Sequence, residues 1–299
     1  PKGNLTAMGD EVNLASRMES TAEVNTVQVS AHVQKECGDY FEWEDLGEIT
    51  VKGKKNPIHT FRPTGPGKIQ TERWERAARV SRSPMVGREK EMGILQSWLD
   101  KQSDDVTKHI VIGIKADAGI GKSRLVHEFI KAQTEPFTLL RGQTLSYNQP
   151  LNWLWITLLR NYFGITPDDP NAKKKFDKVI ENTKELKYCS PFLAELLTIP
   201  NDDPRLKFLD YENKHRETLN ALRDLVQYAG NNGRTIVILE DLHWLDEASK
   251  EVLEFILANC DVEKPILFLC LYRPEGEVEL PGISEVITLS TIADDACKH

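Results

Sequence analysis

Apolar positions along this chain fall into two regimes. Up to about residue 62 they come in short bursts broken by charge, whereas from about residue 85 they gather into near-continuous runs separated by amphipathic stretches. In the first regime, Val12, Leu14, Ala15 and Met18 behind Asp10 predict a helix with Asp10 as N-cap. Short strands are expected at 27–30, 49–52 and 58–61, with Gly53 marking a turn. In the second regime, a helix over 89–100 leads to a strand at 110–115, a glycine-bearing loop and a helix over 123–132. A strand at 138–141 precedes a helical stretch from 151 to about 227. A strand at 236–239, a helix over 247–258, a strand at 266–271 and a short strand near 286–289 complete the series. The run Ile236-Val237-Ile238-Leu239 has no polar alternation, which is what a strand of a parallel sheet covered on both faces requires. The second regime therefore predicts an α/β fold with a doubly wound parallel sheet.

Between the two regimes, Pro63, Gly65, Pro66, Gly67 and Pro84 flank a basic run from 73 to 82. Turn formers around a charged stretch predict a linker. The expected division is thus 1–62, a linker over 63–84, and 85–299.

Charge and composition narrow the partners. With 46 acidic against 38 basic residues the net charge is −8, which argues against a general nucleic-acid or anionic-membrane surface. Five scattered cysteines without CxxC spacing suggest reduced packing residues and give no hint of zinc. No apolar stretch reaches the roughly 20 residues of a membrane span, and no signal peptide is evident. The chain opens at Pro1 without a methionine, directly inside a motif, so it is expected to be an internal piece of a longer cytoplasmic protein.

The densest chemistry lies in Ala116-Asp117-Ala118-Gly119-Ile120-Gly121-Lys122-Ser123, which follows a strand and opens a helix. That is the context of a Walker A phosphate loop, whose successive backbone N–H groups and helix dipole cradle phosphates. Lys122 would reach the β- and γ-phosphates and the Ser123 hydroxyl would ligate Mg²⁺, making ATP and Mg²⁺ the expected cofactors. Ala116 stands where the pattern calls for its first glycine. A second element, Glu240-Asp241, ends the apolar run at 236–239 and is similar to a Walker B strand end beside the phosphate loop. One acid would hold the metal's water shell and the other would orient the attacking water; the sequence leaves open which does which.

Together with Val86-Gly87-Arg88-Glu89, the stretch Leu239 to Asp246 and Leu271-Tyr272-Arg273-Pro274, these motifs resemble the STAND branch of AAA-like P-loop NTPases over 85–299. The resemblance implies nucleotide contact for Val86, Gly87 and Arg88, alongside Gly119, Ile120, Gly121, Lys122 and Ser123. It also implies a γ-phosphate sensor at Arg273, with Ser123, Glu240 and Asp241 around the metal. The domain is expected to continue past His299.

Residues 9–20, Gly9-Asp10-Glu11-Val12-Asn13-Leu14-Ala15-Ser16-Arg17-Met18-Glu19-Ser20, resemble the closing part of a class III nucleotide cyclase catalytic domain, an α+β fold. The likeness continues through Leu46 to Gly53 and Thr60-Phe61-Arg62-Pro63. Asn13 and Arg17 stand four apart, hence on one helix face. The resemblance implies that Asn13 orients the ribose, Arg17 stabilises charge on the transferring phosphorus and Lys52 contacts the phosphates. Thr6, seven before the asparagine, fits adenine better than guanine. The family's two metal-binding aspartates belong upstream of Pro1, and its active site forms between two cyclase domains. The expected partner is therefore a cyclase domain of a second subunit or second copy, and the 299-residue chain alone is expected to lack cyclase activity. The whole predicts part of a multidomain adenylate cyclase with a regulatory, ATP-binding NTPase domain. The alternative is a signalling or transcriptional regulator whose degenerate cyclase remnant only dimerises.

Overall fold

A computed structural model describes residues 10–24, 26–38, 41–50, 57–66, 85–101, 109–145, 149–275 and 278–291. The chain divides into two compact units, Pro1–Arg79 and Val80–His299.

In the first unit, helix α1 (Asp10–Thr21) is followed by β1 (Val29–Ser30), α2 (Ala31–Cys37), β2 (Phe41–Ile49) and β3 (Ile58–Pro66). The strands form an antiparallel sheet of order β1-β3-β2. Leu14 and Met18, four apart on α1, are buried and pack with the partly buried Ile49 and Ile58. Of the strand expected at 49–52, residues 51 and 52 lie outside the described residues, and Ile49 is the last residue of the longer β2. Its signal was the aromatic–acid alternation Phe41-Glu42-Trp43-Glu44, in which charge masks the period of two. Strand β3 also runs past residue 62, so Pro63, Gly65 and Pro66 are strand residues rather than turn formers. Pro63 pairs with Trp43 beside a register shift in β2, and β1 reaches only Thr60 and Phe61 on the other side of β3. A proline lacking an N–H is tolerated at such an irregular, half-open position.

The second unit begins with α3 (Glu89–Asp100), then β4 (Ile110–Lys115), α4 (Lys122–Lys131) and β5 (Thr138–Gln143). A helical segment follows: α5 (Trp153–Phe163), α6 (Ala172–Asn182), α7 (Ser190–Leu196), α8 (Pro204–Phe208) and α9 (Tyr211–Asn231). Strand β6 (Thr235–Glu240), α10 (Glu247–Asn259), β7 (Leu267–Tyr272) and β8 (Ile283–Thr288) complete it. The five strands are all parallel in the order β5-β6-β7-β4-β8. Every residue of β6 and β7 is buried, as the unalternating apolar runs require. A large core joins these strands to the helical segment, with Trp155, Leu158, Phe192 and Leu222 among its fully buried members.

Strand order adds a detail that the motifs do not carry. The acid-bearing strand end does lie beside the phosphate loop, although β7 stands between β4 and β6. Parallel strands about 4.8 Å apart put the two motifs on strands nearly 10 Å from each other. Side chains, not strand pairing, must bring them together.

Candidate functional site

The loop after β4 turns at two left-handed glycines, Gly119 (φ 82°) and Gly121 (φ 104°), and Gly121 immediately precedes α4. Side chains with a Cβ resist those angles, so glycine is required where the chain folds its amides inward. The first amides of α4 have no intrahelical acceptor and face the loop's concavity with the positive end of the helix dipole. Lys122 is buried and its Nζ donates to the carbonyls of Ala116 (2.6 Å) and Asp117 (3.0 Å), holding the ammonium across the mouth of the loop.

Ser123 Oγ donates to Glu240 Oε2 at 2.8 Å, which joins the loop to the end of β6. The glutamate's other oxygen, Oε1, accepts from Arg141 Nε at 3.1 Å. Asp241 takes a left-handed conformation (φ 59°), uncommon outside glycine but tolerated by aspartate. Its carbonyl accepts from Thr144 Oγ1 at 2.6 Å and its Oδ2 from Gln143 Nε2 at 3.3 Å. Arg141 and Gln143, two apart on β5, share one face of the sheet. Because they reach Glu240 and Asp241 respectively, the turn at Asp241 keeps both acids on that face, where a continued strand would have sent them to opposite sides.

Sequence reasoning passed over Arg141, Gln143 and Thr144. The signal was present: an arginine inside Leu139-Leu140-Arg141-Gly142 must find a buried partner or leave the sheet. Arg273 follows the carboxyl end of β7, between the two motifs, with its guanidinium carbon 5.1 Å above the Trp244 ring. Arg88 is buried; its Nη1 donates to Glu91 Oε1 at 3.1 Å and its Nη2 to the carbonyl of Ser290 at 2.5 Å. Gly87 N donates to Glu89 Oε1 at 3.2 Å, and Val86 is exposed. Asp246, within the resembling stretch, is the N-cap of α10, accepting from Ser249 N at 2.9 Å.

The donor set suits a magnesium nucleotide. A hydroxyl and a carboxylate, both hard oxygen donors, meet at one point beside a lysine and a ring of amides. Magnesium takes few protein ligands and completes its shell with water and phosphate oxygens. No group of three or more His, Cys, Asp or Glu side chains suited to a metal stands together among the described residues.

Cys189, Cys260 and Cys270 are free, and burial pushes each thiol up to about 12, so they are packing residues, as expected. In the first unit, Asn13 and Arg17 both lie within α1. Lys52 and Thr6 lie outside the described residues. No helix among those residues is long and apolar enough to cross a membrane.

Comparison with known proteins fits this geometry. Residues 4–62 match the family described as the adenylate and guanylate cyclase catalytic domain, and residues 84–269 match the AAA ATPase domain. An uncharacterized protein of Rhizobium meliloti is 27% identical over 280 residues, covering 89% of this chain and 26% of that protein. A membrane guanylyl cyclase of Dictyostelium discoideum is 48% identical over 46 residues, 15% of this chain and 3% of that one. The chain thus spans about a quarter of the first relative and a small fraction of the second. Among solved structures, a Walker-type ATPase of Pyrococcus abyssi is similar at a TM-score of 0.31 and 17% identity, over 72% of this chain and 56% of that one. The chain joins part of a cyclase catalytic domain to an NTPase domain, and since the latter match takes in more than half of its length, it belongs to the AAA ATPase domain family.

Proposed function

We propose that the second unit binds ATP with Mg²⁺ at the 116–123 loop, and that it serves as the regulatory NTPase of an adenylate cyclase. The observation that carries this reading is the 2.8 Å bond between Ser123 and Glu240, which brings the start of the helix after the loop and the acid-bearing strand end together across an intervening strand.

In this reading the amides around Gly119, Ile120 and Gly121 wrap the phosphates, and Lys122 leaves its carbonyl partners for the β- and γ-phosphate oxygens. Mg²⁺ supplies neutralisation of the charge that accumulates on the phosphoryl oxygens. Ser123 and Glu240 form the protein's side of its shell. Asp241, turned toward Gln143, is then the acid placed to orient a water for slow hydrolysis. Val86, Gly87 and Arg88 border the base; the Arg88 side chain acts there as a clamp, since Glu91 and Ser290 occupy it. Arg273, between the two motifs, reports on the γ-phosphate.

For the first unit, Asn13, Arg17 and Lys52 position ATP and stabilise charge while its 3′-hydroxyl attacks the α-phosphorus, forming cyclic AMP and releasing diphosphate. The reaction needs a second cyclase domain to complete the site. The match over residues 4–62 supports a cyclase, and Thr6 supports adenine.

The test is calorimetric titration of the folded chain with ATP and ADP in Mg²⁺. Micromolar uptake of either nucleotide is expected; absence of binding by both refutes the reading.

A further inference from the structure

The end of β5 contributes a buried cation that the phosphate-loop reading does not use. Arg141 is 9% exposed and Glu240 1% exposed, and the two form an ion pair at 3.1 Å. The carboxylate's two oxygens meet different groups: Oε1 accepts from Arg141 Nε, and Oε2 accepts from the Ser123 hydroxyl. Arg141 is itself held from behind. Its carbonyl accepts from Asn161 Nδ2 of α5 at 2.9 Å, and the next residue, Gly142, lies so close to α5 that a Cβ there would sit 2.6 Å from the Leu154 carbonyl. The guanidinium therefore projects from backbone that has little room to move.

A glutamate at a strand end has one more rotatable bond than an aspartate, so its carboxylate is less well aimed unless a second partner fixes it. Two partners at fixed places remove that freedom. Burial also demands a compensating charge, and Arg141 supplies it from within the sheet.

Building on the nucleotide reading above, we propose that Arg141 is a positioning residue for the magnesium site. By taking Oε1 it keeps Oε2 turned to Ser123, so that one defined oxygen is presented to the cation accompanying a nucleoside triphosphate. In this proposal Arg141 acts through Glu240 rather than on the nucleotide or the metal.

The readout is the ratio of nucleotide affinities with and without Mg²⁺, taken within each protein so that any general weakening cancels. Calorimetric titration of the full chain with the non-hydrolysable triphosphate AMP-PNP, in Mg²⁺ and in EDTA, measures it. In Arg141→Met the Mg²⁺ enhancement is expected to fall about tenfold or more, the usual effect of removing a residue that orients a metal ligand. Arg141→Lys keeps a buried cation but loses the planar fork, and a smaller fall is expected. Should the methionine variant fail to fold, the lysine variant alone decides. A folded variant with the wild-type ratio, whatever its melting temperature, overturns the proposal, as does a wild type whose affinity ignores Mg²⁺. A wild type that binds AMP-PNP in neither buffer sinks the nucleotide reading instead.

Discussion

Ser123 at the start of α4 and Glu240 at the end of β6 are 117 positions apart in the chain, yet their side chains meet at 2.8 Å. The strand between theirs, β7, would separate an ordinary pair of strand-end residues. The contact exists because α4 starts just past the loop and Glu240 has the reach of a long side chain.

That reach can be measured. Glu240→Asp shortens the side chain by one methylene and is expected to lose the Ser123 bond. The Mg²⁺ enhancement of nucleotide binding should then fall about tenfold, as for a displaced metal ligand. An unchanged enhancement would place the metal elsewhere. By contrast, Asp241→Asn is expected to slow ATP hydrolysis more than it weakens nucleotide uptake, and equal losses in both would argue against a water-orienting role.

Lys122 is buried with two carbonyl partners, so its charge is already poised at the loop. Lys122→Ala removes one charge-assisted contact to phosphate, worth about 1.5–3 kcal/mol, or roughly 10- to 150-fold in affinity for ATP. Titration calorimetry with a circular-dichroism check on folding reads this directly. The regulatory role proposed above would be disproved by cyclase output that ignores the same substitution.

Arg273 rests over the Trp244 ring and is proposed to sense the γ-phosphate. Arg273→Ala is therefore expected to reduce the affinity for ATP more than that for ADP. Comparing the two titrations tests this; a parallel loss in both would leave Arg273 as a packing cation.

Gly142 sits between two residues that hold the acids. A Cβ there would meet the Leu154 carbonyl at 2.6 Å and Leu154 Cδ1 at 3.1 Å. Gly142→Ala should destabilise the second unit by about 1–3 kcal/mol through overpacking, seen as a lower urea midpoint. A neutral effect would mean that α5 can slide away from β5.

His109 provides a pH prediction. Its Nε2 faces the Cys260 carbonyl at 3.0 Å and so must donate, while its Nδ1 faces the Ile266 N–H at 3.4 Å and so must accept. These partners fix the neutral ring, and burial holds its pKa below the ordinary histidine value, opposed by the bond to Cys260. The unfolded chain then binds the proton first. The stability His109 contributes is present above about pH 6.5 and is lost as pH falls below it toward the folded-state value. Urea denaturation from pH 7.5 to 5.5 should show this decline, with a shallower slope in His109→Gln. Equal slopes would remove His109 as the cause.

Much of the second unit was legible in the sequence because its signals are local. The helix over Glu89–Asp100 and the strand over Ile110–Lys115 have the bounds their apolar periodicity predicted. The first unit was less legible: acids interleaved with Phe41 and Trp43 hid β2, and the prolines of β3 read as a turn. Both failures arose where the residue beside the signal, not the period itself, carried the weight.

What the sequence determined by itself was the chemistry and its order: a glycine loop with Lys122 and Ser123 before a helix, and two acids after an apolar strand. Those depend on neighbours within a few residues, where backbone propensity acts. Only the tertiary structure decided that β7 lies between the motifs, that Glu240 rather than Asp241 meets Ser123, and that Arg141 and Gln143 hold one acid each. Such contacts join positions about a hundred residues apart, and they are set by the sheet's register and by the left-handed turn at Asp241, which no local pattern encodes.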